Sequence, residues 1–359
     1  MEKRRLGQTD MVVTRIGLGT IPIIKESKWR AVRIIHKALD LGINFIDTAR
    51  AYEDSEEKIG EVMKTRRSEC FLASKSHFRT ASETTEALET SLRNLQTDYL
   101  DLYMLHDISA QDRWDLVFAP NGAFEAVKKA QQQGKIRYIG VSGHNVPMLM
   151  DLARMGEFSV ILTCYNFMTL EPEYELIPLA QSKGVGVLVM KPNVGGVAFR
   201  LIRPGKDGQE PQPSDIKPRD TLRFVLSNSG VDCALVGPKR VGEMVENYKF
   251  ANRFEPMDET ERQKFIESGQ SLFPKMPLCQ DCGYCEPCPA GIPIAKLMVL
   301  YQNLCRLFFE WPRSRKEYHK LQPDVAACTD CGACEERCPQ KLNIRERLRN
   351  AKKRLDHPV

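Results

Sequence analysis

Across residues 1–274, short β-rich runs alternate with longer helical patterns about eight times, and few folds tolerate that rhythm. A hairpin is expected over Arg5–Thr14. Strands are expected over Ile16–Gly19, Ile43–Ile46, Phe71–Ser74, Tyr99–Leu105, Tyr138–Val141, Val160–Cys164, Val185–Met190 and Cys233–Val236. Helical patterns fill the gaps, among them Trp29–Leu41, Ser55–Lys64, Thr84–Leu95 and Phe124–Gln133. Strand–helix alternation implies a parallel sheet, and eight such units suit a closed (β/α)8 TIM barrel. An open doubly wound sheet is the competing arrangement. Its G-x-G-x-x-G signature is absent, because Gly17-Leu18-Gly19-Thr20-Ile21-Pro22 lacks the third glycine. Leu201–Pro218, rich in Pro and Gly, reads as a long loop over the barrel mouth, and Met257–Leu272 as a closing helix.

The remaining residues, 275–359, follow different rules. Eight of the twelve cysteines fall in two runs, C-Q-D-C-G-Y-C-E-P-C-P from Cys279 and C-T-D-C-G-A-C-E-E-R-C-P from Cys328. The second run has the C-x2-C-x2-C-x3-C-P spacing of bacterial ferredoxins, and the first is one residue shorter. In that pattern the fourth cysteine of each run ligates the other cluster. Cys279, Cys282, Cys285 and Cys338 would then hold one [4Fe–4S] cluster, and Cys288, Cys328, Cys331 and Cys334 the other. Structural zinc and disulfides are the competing readings. A third cysteine at the same spacing and the terminal C-P argue against both. The chain thus divides into a barrel over 1–274 and a small ferredoxin-like iron–sulfur domain over 275–359. The two meet at Phe273–Leu278, and an amphipathic helix over Ile294–Phe309 separates the cysteine runs.

Charge divides at the same boundary. Residues 1–274 carry 37 basic and 37 acidic side chains, so the net charge of +5 lies entirely in 275–359. Two anionic clusters would nearly cancel it. The basic stretch Arg345–Arg354 reads as a solvated helix face. No aromatics interleave its charges, so nucleic acid is not the expected partner. No apolar run reaches membrane-spanning length and no signal-peptide core follows Met1, which points to a reduced, cytoplasmic location without membrane attachment. Clusters of this kind favour a low-oxygen habitat. Cys70, Cys164 and Cys233 sit in apolar runs and read as buried thiols.

Function in such a barrel collects where strands end. Asp47 ends strand two in N-F-I-D-T-A, and Tyr52 lies five residues on. Lys75 ends strand three, and His106 ends strand four in Y-M-L-H-D. A phenol can act as general acid if a nearby ammonium lowers its pKa from about 10, and a carboxylate would keep that ammonium charged. An imidazole opposite the phenol can hydrogen-bond a carbonyl oxygen. Singly, each residue admits a plainer reading as a loop cap, rim residue, solvated lysine or satisfied histidine. Together, at consecutive strand ends, they suit protonating a carbonyl oxygen as hydride reaches its carbon. His77 and His144 should also approach the mouth, where water or substrate, in preference to a metal, is their expected partner.

The motifs R-R-L-G-Q-T, N-F-I-D-T-A-R-A-Y, S-E-E-K-I-G, D-Y-L-D-L-Y-M-L-H, I-R-Y-I-G-V-S and G-P-K-R-V-G-E-M-V-E-N resemble the aldo-keto reductase family. The appended cysteine runs resemble its branch with a ferredoxin-like C-terminal domain. The resemblance implies the tetrad Asp47, Tyr52, Lys75 and His106, with Tyr52 as acid/base. It also implies NADP(H) or NAD(H) across the mouth, with Ser142 at the nicotinamide and Gly237, Lys239, Arg240, Glu246 and Asn247 at the adenosine end. The basic pair Lys239-Arg240 would favour a 2′-phosphate. Three positions depart from the family pattern. Gly143 follows Ser142 in place of Asn, Leu162 stands where Gln is usual, and Met190 stands where an aromatic often stacks on the ring. The carboxamide thereby loses two hydrogen-bonding partners.

The expected activity is a carbonyl/hydroxyl oxidoreductase using NAD(P)H on a small carbonyl or alcohol. Its clusters would relay electrons to a ferredoxin or flavoprotein, or structure the mouth. The alternatives are a cluster-fed reductase without nicotinamide and a non-enzymatic electron-transfer subunit.

Overall fold

The structure is a computed structural model that describes residues 1–194, 202–203, 212–213, 216–272, 285–302, 317–338 and 342–356. The chain forms two compact units, residues 1–193 with 216–269, and residues 194–215 with 270–359.

The first unit is a closed barrel of eight parallel strands. A hairpin of β1 (Lys3–Arg5) and β2 (Val12–Thr14) precedes them. The barrel strands are β3 (Ile16–Gly19), β4 (Phe45–Asp47), β5 (Phe71–Ser76), β6 (Leu100–Leu105), β7 (Ile136–Gly143), β8 (Val160–Cys164), β9 (Gly186–Met190) and, after a short pair β10 (Ile202–Arg203) and β11 (Gln212–Pro213), β12 (Cys233–Val236). Closure is made by β12, which pairs with both β9 and β3. All eight expected strands are therefore present within a few residues of their predicted ends. The barrel arrangement holds and the open sheet does not.

Period-two alternation explains the interior. Phe45, Ala73, Leu102, Met104, Leu162 and Leu188 turn inward and form one apolar cluster with Leu6, Met11 and Val13 of the hairpin. The hairpin thus plugs one end of the barrel. It can approach so closely because Gly7 adopts φ +56°, and a Cβ there would lie 2.3 Å from the Gly186 nitrogen.

Helices α1 (Lys28–Asp40), α2 (Ser55–Arg66), α3 (Ala81–Leu95), α4 (Gln111–Phe118), α5 (Ala123–Gln132), α6 (Val146–Arg154), α7 (Glu171–Tyr174), α8 (Leu176–Ser182), α9 (Pro218–Ser227), α10 (Val241–Arg253) and α11 (Glu259–Leu272) follow the strands. The α1 helix shows why: Ala31, Ile34, Ile35, Ala38 and Leu39 are buried on one face, and the Ser27 side chain caps its start. Much of the expected loop over Leu201–Pro218, and all of the expected junction Phe273–Leu278, lie outside the described residues.

Within the second unit, residues 285–356 contain α12 (Ile294–Gln302), a 3-10 turn (Val325–Ala327), α13 (Ala333–Glu336) and α14 (Ile344–Leu355). The part of the expected Ile294–Phe309 helix beyond Gln302 lies outside the described residues. Ile292, Leu297, Met298, Tyr318, Leu342, Ile344, Leu348 and Leu355 build a separate core that includes Cys285, Cys334 and Cys338. Against expectation, α14 is not simply a solvated basic face. Arg345 pairs with Glu335 and Arg349 with Asp330, which ties the helix to the second cysteine run, and Lys352 pairs with Asp324 just before it.

Candidate active site and cysteine cavity

The candidate site is the next rung above the barrel's apolar interior. Two residues beyond inward-facing Phe45 comes Asp47, beyond Ala73 comes Lys75, and beyond Met104 comes His106. Period two therefore points these three side chains into the mouth. Tyr52 joins them from the turn that leads into α2, where its backbone N–H donates to the Ala49 carbonyl at 2.9 Å.

The Lys75 ammonium donates to both Asp47 carboxylate oxygens, at 2.8 and 2.7 Å, and to the Thr48 carbonyl at 2.7 Å. All three N–H groups of Lys75 are thus engaged. Burial pushes Asp47 up and Lys75 down, and their mutual attraction opposes both shifts. The Tyr52 ring lies against this ammonium, with Nζ 4.9 Å from the ring centroid. The Tyr52 pKa is raised well above the usual phenol value, first by burial and then by the Asp47 charge. This corrects the expectation that Lys75 lowers it.

His106 stands edge-on to Tyr52, with ring centroids 6.0 Å apart, and stacks on His77 at 3.8 Å. Its Nδ1 is buried without a partner among the described residues. Burial, followed by the charges of Lys75, His77, Arg79 and His144, pushes its pKa far below the usual imidazole value, so the ring is neutral. His77 and His144 both reach solvent at the mouth. Among the described residues no three His, Cys, Asp or Glu side chains could hold one metal ion.

The S-E-E-K-I-G motif proves to be the support for this rung. Ser55 Oγ donates to Thr20 Oγ1 at 2.9 Å, and Lys58 Nζ donates to the Ile23 and Ile24 carbonyls. Glu56, fully buried, accepts from Ser74 Oγ at 2.8 Å and pairs with Arg50. Gly60 lets α2 touch α3. Thr48 and Glu56 also belong to this support, and both lie inside the motifs N-F-I-D-T-A and S-E-E-K-I-G.

The predicted nicotinamide positions fare unevenly. Ser142 is at the end of β7, but its Oγ accepts from the Asp107 N–H at 3.0 Å. A Cβ on Gly143 would lie 2.9 Å from the Ile108 carbonyl, so the loop after β6 fills the space where the family pattern has a side chain. Leu162 is buried in the barrel core. Asn166 donates to the Lys191 carbonyl at 3.1 Å and accepts from the Met168 and Thr169 N–H groups. At the other end, Gly237 follows β12 and the 13-residue helix α10 begins with no side-chain cap at Arg240. Arg240 and Glu246 are exposed, Asn247 is buried, and Lys239 is exposed with its N–H on Glu243. Glu243 also pairs with Arg240 at the start of α10.

In the second unit one cavity is lined by Cys288, Cys328, Cys331 and Cys334, together with Ile292, Ile294, Leu348 and Arg345. These four cysteines are one of the two predicted sets. Cys285 and Cys338 of the other set lie buried in the core of this unit, while Cys279 and Cys282 lie outside the described residues.

Residues 15–236 match the sequence model of the Aldo/keto reductase family. The chain is 26% identical to an uncharacterized oxidoreductase, YqkF, of Bacillus subtilis, over 70% of this chain and 92% of that protein. It is 31% identical to the methylglyoxal reductase YeaE of Escherichia coli, over 62% of this chain and 80% of that protein. Among solved structures, the aldo-keto reductase AKR11C1 from Bacillus halodurans in its holo form superposes with a TM-score of 0.64 at 29% identity, covering 75% of this chain and 96% of that one.

Proposed function

The chain belongs to the aldo/keto reductase family, and on that premise we propose that it reduces a small carbonyl compound, with Tyr52 as proton donor and NAD(P)H as hydride source. The observation that carries this reading is the rung itself. Asp47, Lys75 and His106 face one mouth from consecutive strands, with Tyr52 beside them.

A bound NAD(P)H would supply the hydride that reaches the carbonyl carbon. The chain's own residues account for the rest. Tyr52, protonated because its pKa is raised, donates its hydroxyl proton to the developing alkoxide and regains one from solvent. Neutral His106 hydrogen-bonds the same oxygen and fixes its direction. Lys75, held by Asp47 and Thr48, lies against the Tyr52 ring and fixes its place at the mouth. Gly237, Lys239, Arg240, Glu246 and Asn247 would hold the adenosine phosphate end, at the start of α10. Ser142, whose Oγ accepts from the Asp107 N–H, keeps its own O–H to donate to the carboxamide.

The second unit is read as an iron–sulfur domain. Cys288, Cys328, Cys331 and Cys334 share one cavity, which supports a [4Fe–4S] cluster there. A cubane cluster spreads its thiolates around a body wider than a single ion, so its ligands need only line a common cavity. By the same pattern Cys279, Cys282, Cys285 and Cys338 would hold a second cluster. When bound, such clusters exchange single electrons with a carrier such as a ferredoxin or flavoprotein.

The experiment is Tyr52→Phe in iron-loaded protein, assayed anaerobically with NADPH and small aldehydes, methylglyoxal among them. Turnover should fall by about 100-fold or more while the cluster absorbance is unchanged. Full activity in the variant would overturn the assignment. A second reading, reduction fed by the clusters without nicotinamide, is favoured by the engaged side chain of Asn166. It requires that NADPH fail to bind.

A further inference from the structure

Behind the rung, on the outer face of β5, lies a buried charge that the proposed chemistry does not use. Glu56, in the first turn of α2, is 0% exposed. An ionised carboxylate is costly to bury unless it is paired. The helix start does not account for it, because the exposed Glu57 beside it already offers a negative charge there. The oxygens of Glu56 instead reach three other segments. One accepts from Ser74 Oγ at 2.8 Å. The other pairs with Arg50 Nη1 and accepts from Asn94 Nδ2, on α3, at 3.4 Å.

These contacts join two parts of the rung. Ser74 precedes Lys75 on β5 and points outward where Lys75 points in. Arg50 belongs to the turn that carries Tyr52, and its backbone N–H donates to the Lys75 carbonyl at 2.9 Å. The ends of that turn are tied elsewhere: the Thr48 and Ser55 hydroxyls lie 2.9 Å apart, and Asp54 pairs with Lys58. Its middle is open, with Ala51, Glu53 and Asp54 exposed and Glu53 at φ +43°. From there Arg50 reaches a carboxylate that Ser74 fixes on β5.

We infer that Arg50 and Glu56 are positioning residues for the proton donor: their ion pair clamps the Tyr52 turn against β5 and so holds the phenol where it meets a carbonyl oxygen opposite His106. This inference rests on the carbonyl-reductase reading and adds two residues to its machinery. The pair acts through Tyr52, whose ring lies 4.9 Å from Lys75 Nζ and 6.0 Å from the His106 ring. A reacting group displaced by about 1 Å forfeits much of its rate, because proton transfer needs the donor within hydrogen-bond reach.

The test varies Arg50, whose side chain is 27% exposed and whose loss leaves the core intact. Hydrogen exchange on the iron-loaded full chain reads the clamp without turnover. In wild type the Tyr52 and Ser55 amides donate to the Ala49 and Tyr52 carbonyls, both at 2.9 Å. In Arg50→Gln these two should exchange about tenfold faster, while the amides of β6 and β8 keep their rates. With NADPH and a small aldehyde, kcat should fall about tenfold with KM within about twofold. The solvent isotope effect on kcat should rise, since proton transfer has become the harder step. Arg50→Lys should restore part of kcat, and adding Glu56→Gln to Arg50→Gln should cost little more, because the pair is already broken. Unchanged exchange at the turn overturns the inference, as does faster exchange with kcat intact or a loss confined to KM. Faster exchange in a protein that reduces no carbonyl with NADPH would keep the clamp and sink the reductase reading alone.

Discussion

The ammonium of Lys75 lies over the face of the Tyr52 ring, 4.9 Å from its centroid, while all its N–H groups are held by Asp47 and Thr48. Lys75 and Tyr52 thus meet through charge and ring. Lys75 and Asp47 are both buried, at 1% and 4% exposure, so each is the other's main compensation. Asp47→Ala should cost about 3–5 kcal/mol of stability, because it strands a buried ammonium. Asp47→Leu with Lys75→Met should recover most of that loss in urea unfolding and remain inactive. If the single variant unfolds like wild type, the pair is not a buried ion pair.

The pH–rate profile follows from two opposite shifts. Tyr52 must be protonated to donate, and its raised pKa keeps it so well past the usual phenol range. His106 must be neutral, and its lowered pKa keeps it so on the acid side. The kcat/KM for reduction should therefore be level from about pH 6 to about pH 9, with no inflection near the ordinary imidazole pKa of about 6.5. Alcohol oxidation needs the phenolate and should rise with pH across the same span. A fall in reduction between pH 7 and 9 would show that Tyr52 ionises early, as the sequence alone suggested.

Gly60 is where α2 meets α3. A Cβ there would lie 2.0 Å from the Asn94 carbonyl oxygen, a contact that backbone cannot relieve cheaply. Gly60→Ala gains about 1 kcal/mol in helix propensity but should lose about 1–3 kcal/mol to overpacking. A net loss of stability with lowered turnover is expected, since α2 carries Glu56 and Ser55 under the rung. A more stable Gly60→Ala protein would contradict that packing.

Most of the barrel, and the placing of Asp47, Lys75 and His106 at neighbouring strand ends, was legible in the sequence, and the reason is periodicity. Strand ends and inward-facing positions follow from alternation, so Phe45 predicts Asp47 and Ala73 predicts Lys75. What the sequence hid is determined by loops. Nothing local announces that Asp107, at φ +59°, would turn its N–H onto Ser142, or that Arg79 and Arg113 would converge on one peptide from different elements. The Tyr52 shift was misread for a related reason. Proximity of an ammonium is readable from spacing, but how it meets the ring depends on the turn at Ala49–Ser55. Gly143, read as a missing partner, is instead a position that the Ile108 carbonyl leaves no room to enlarge.

The cysteine cavity makes its own prediction. Cys334→Ala removes one of the four thiols that line it. If the proposed two ligand sets hold separate clusters, iron content should fall to about half. Unchanged iron and absorbance in this variant would remove Cys334 from the ligand set. Zinc in place of iron in protein made under anaerobic, iron-replete conditions would overturn the cluster reading.

The central claim is that hydride passes directly to a carbonyl held at Tyr52 and His106. The most direct measurement uses NADPH deuterated at the transferring position, a carbonyl substrate and anaerobic iron-loaded protein, with the alcohol product analysed for deuterium. The account predicts one deuterium on the new carbinol carbon and no such product from Tyr52→Phe. An alcohol that carries no deuterium, formed only when a one-electron donor is supplied, would contradict it and show that electrons enter through the cysteine-bearing unit.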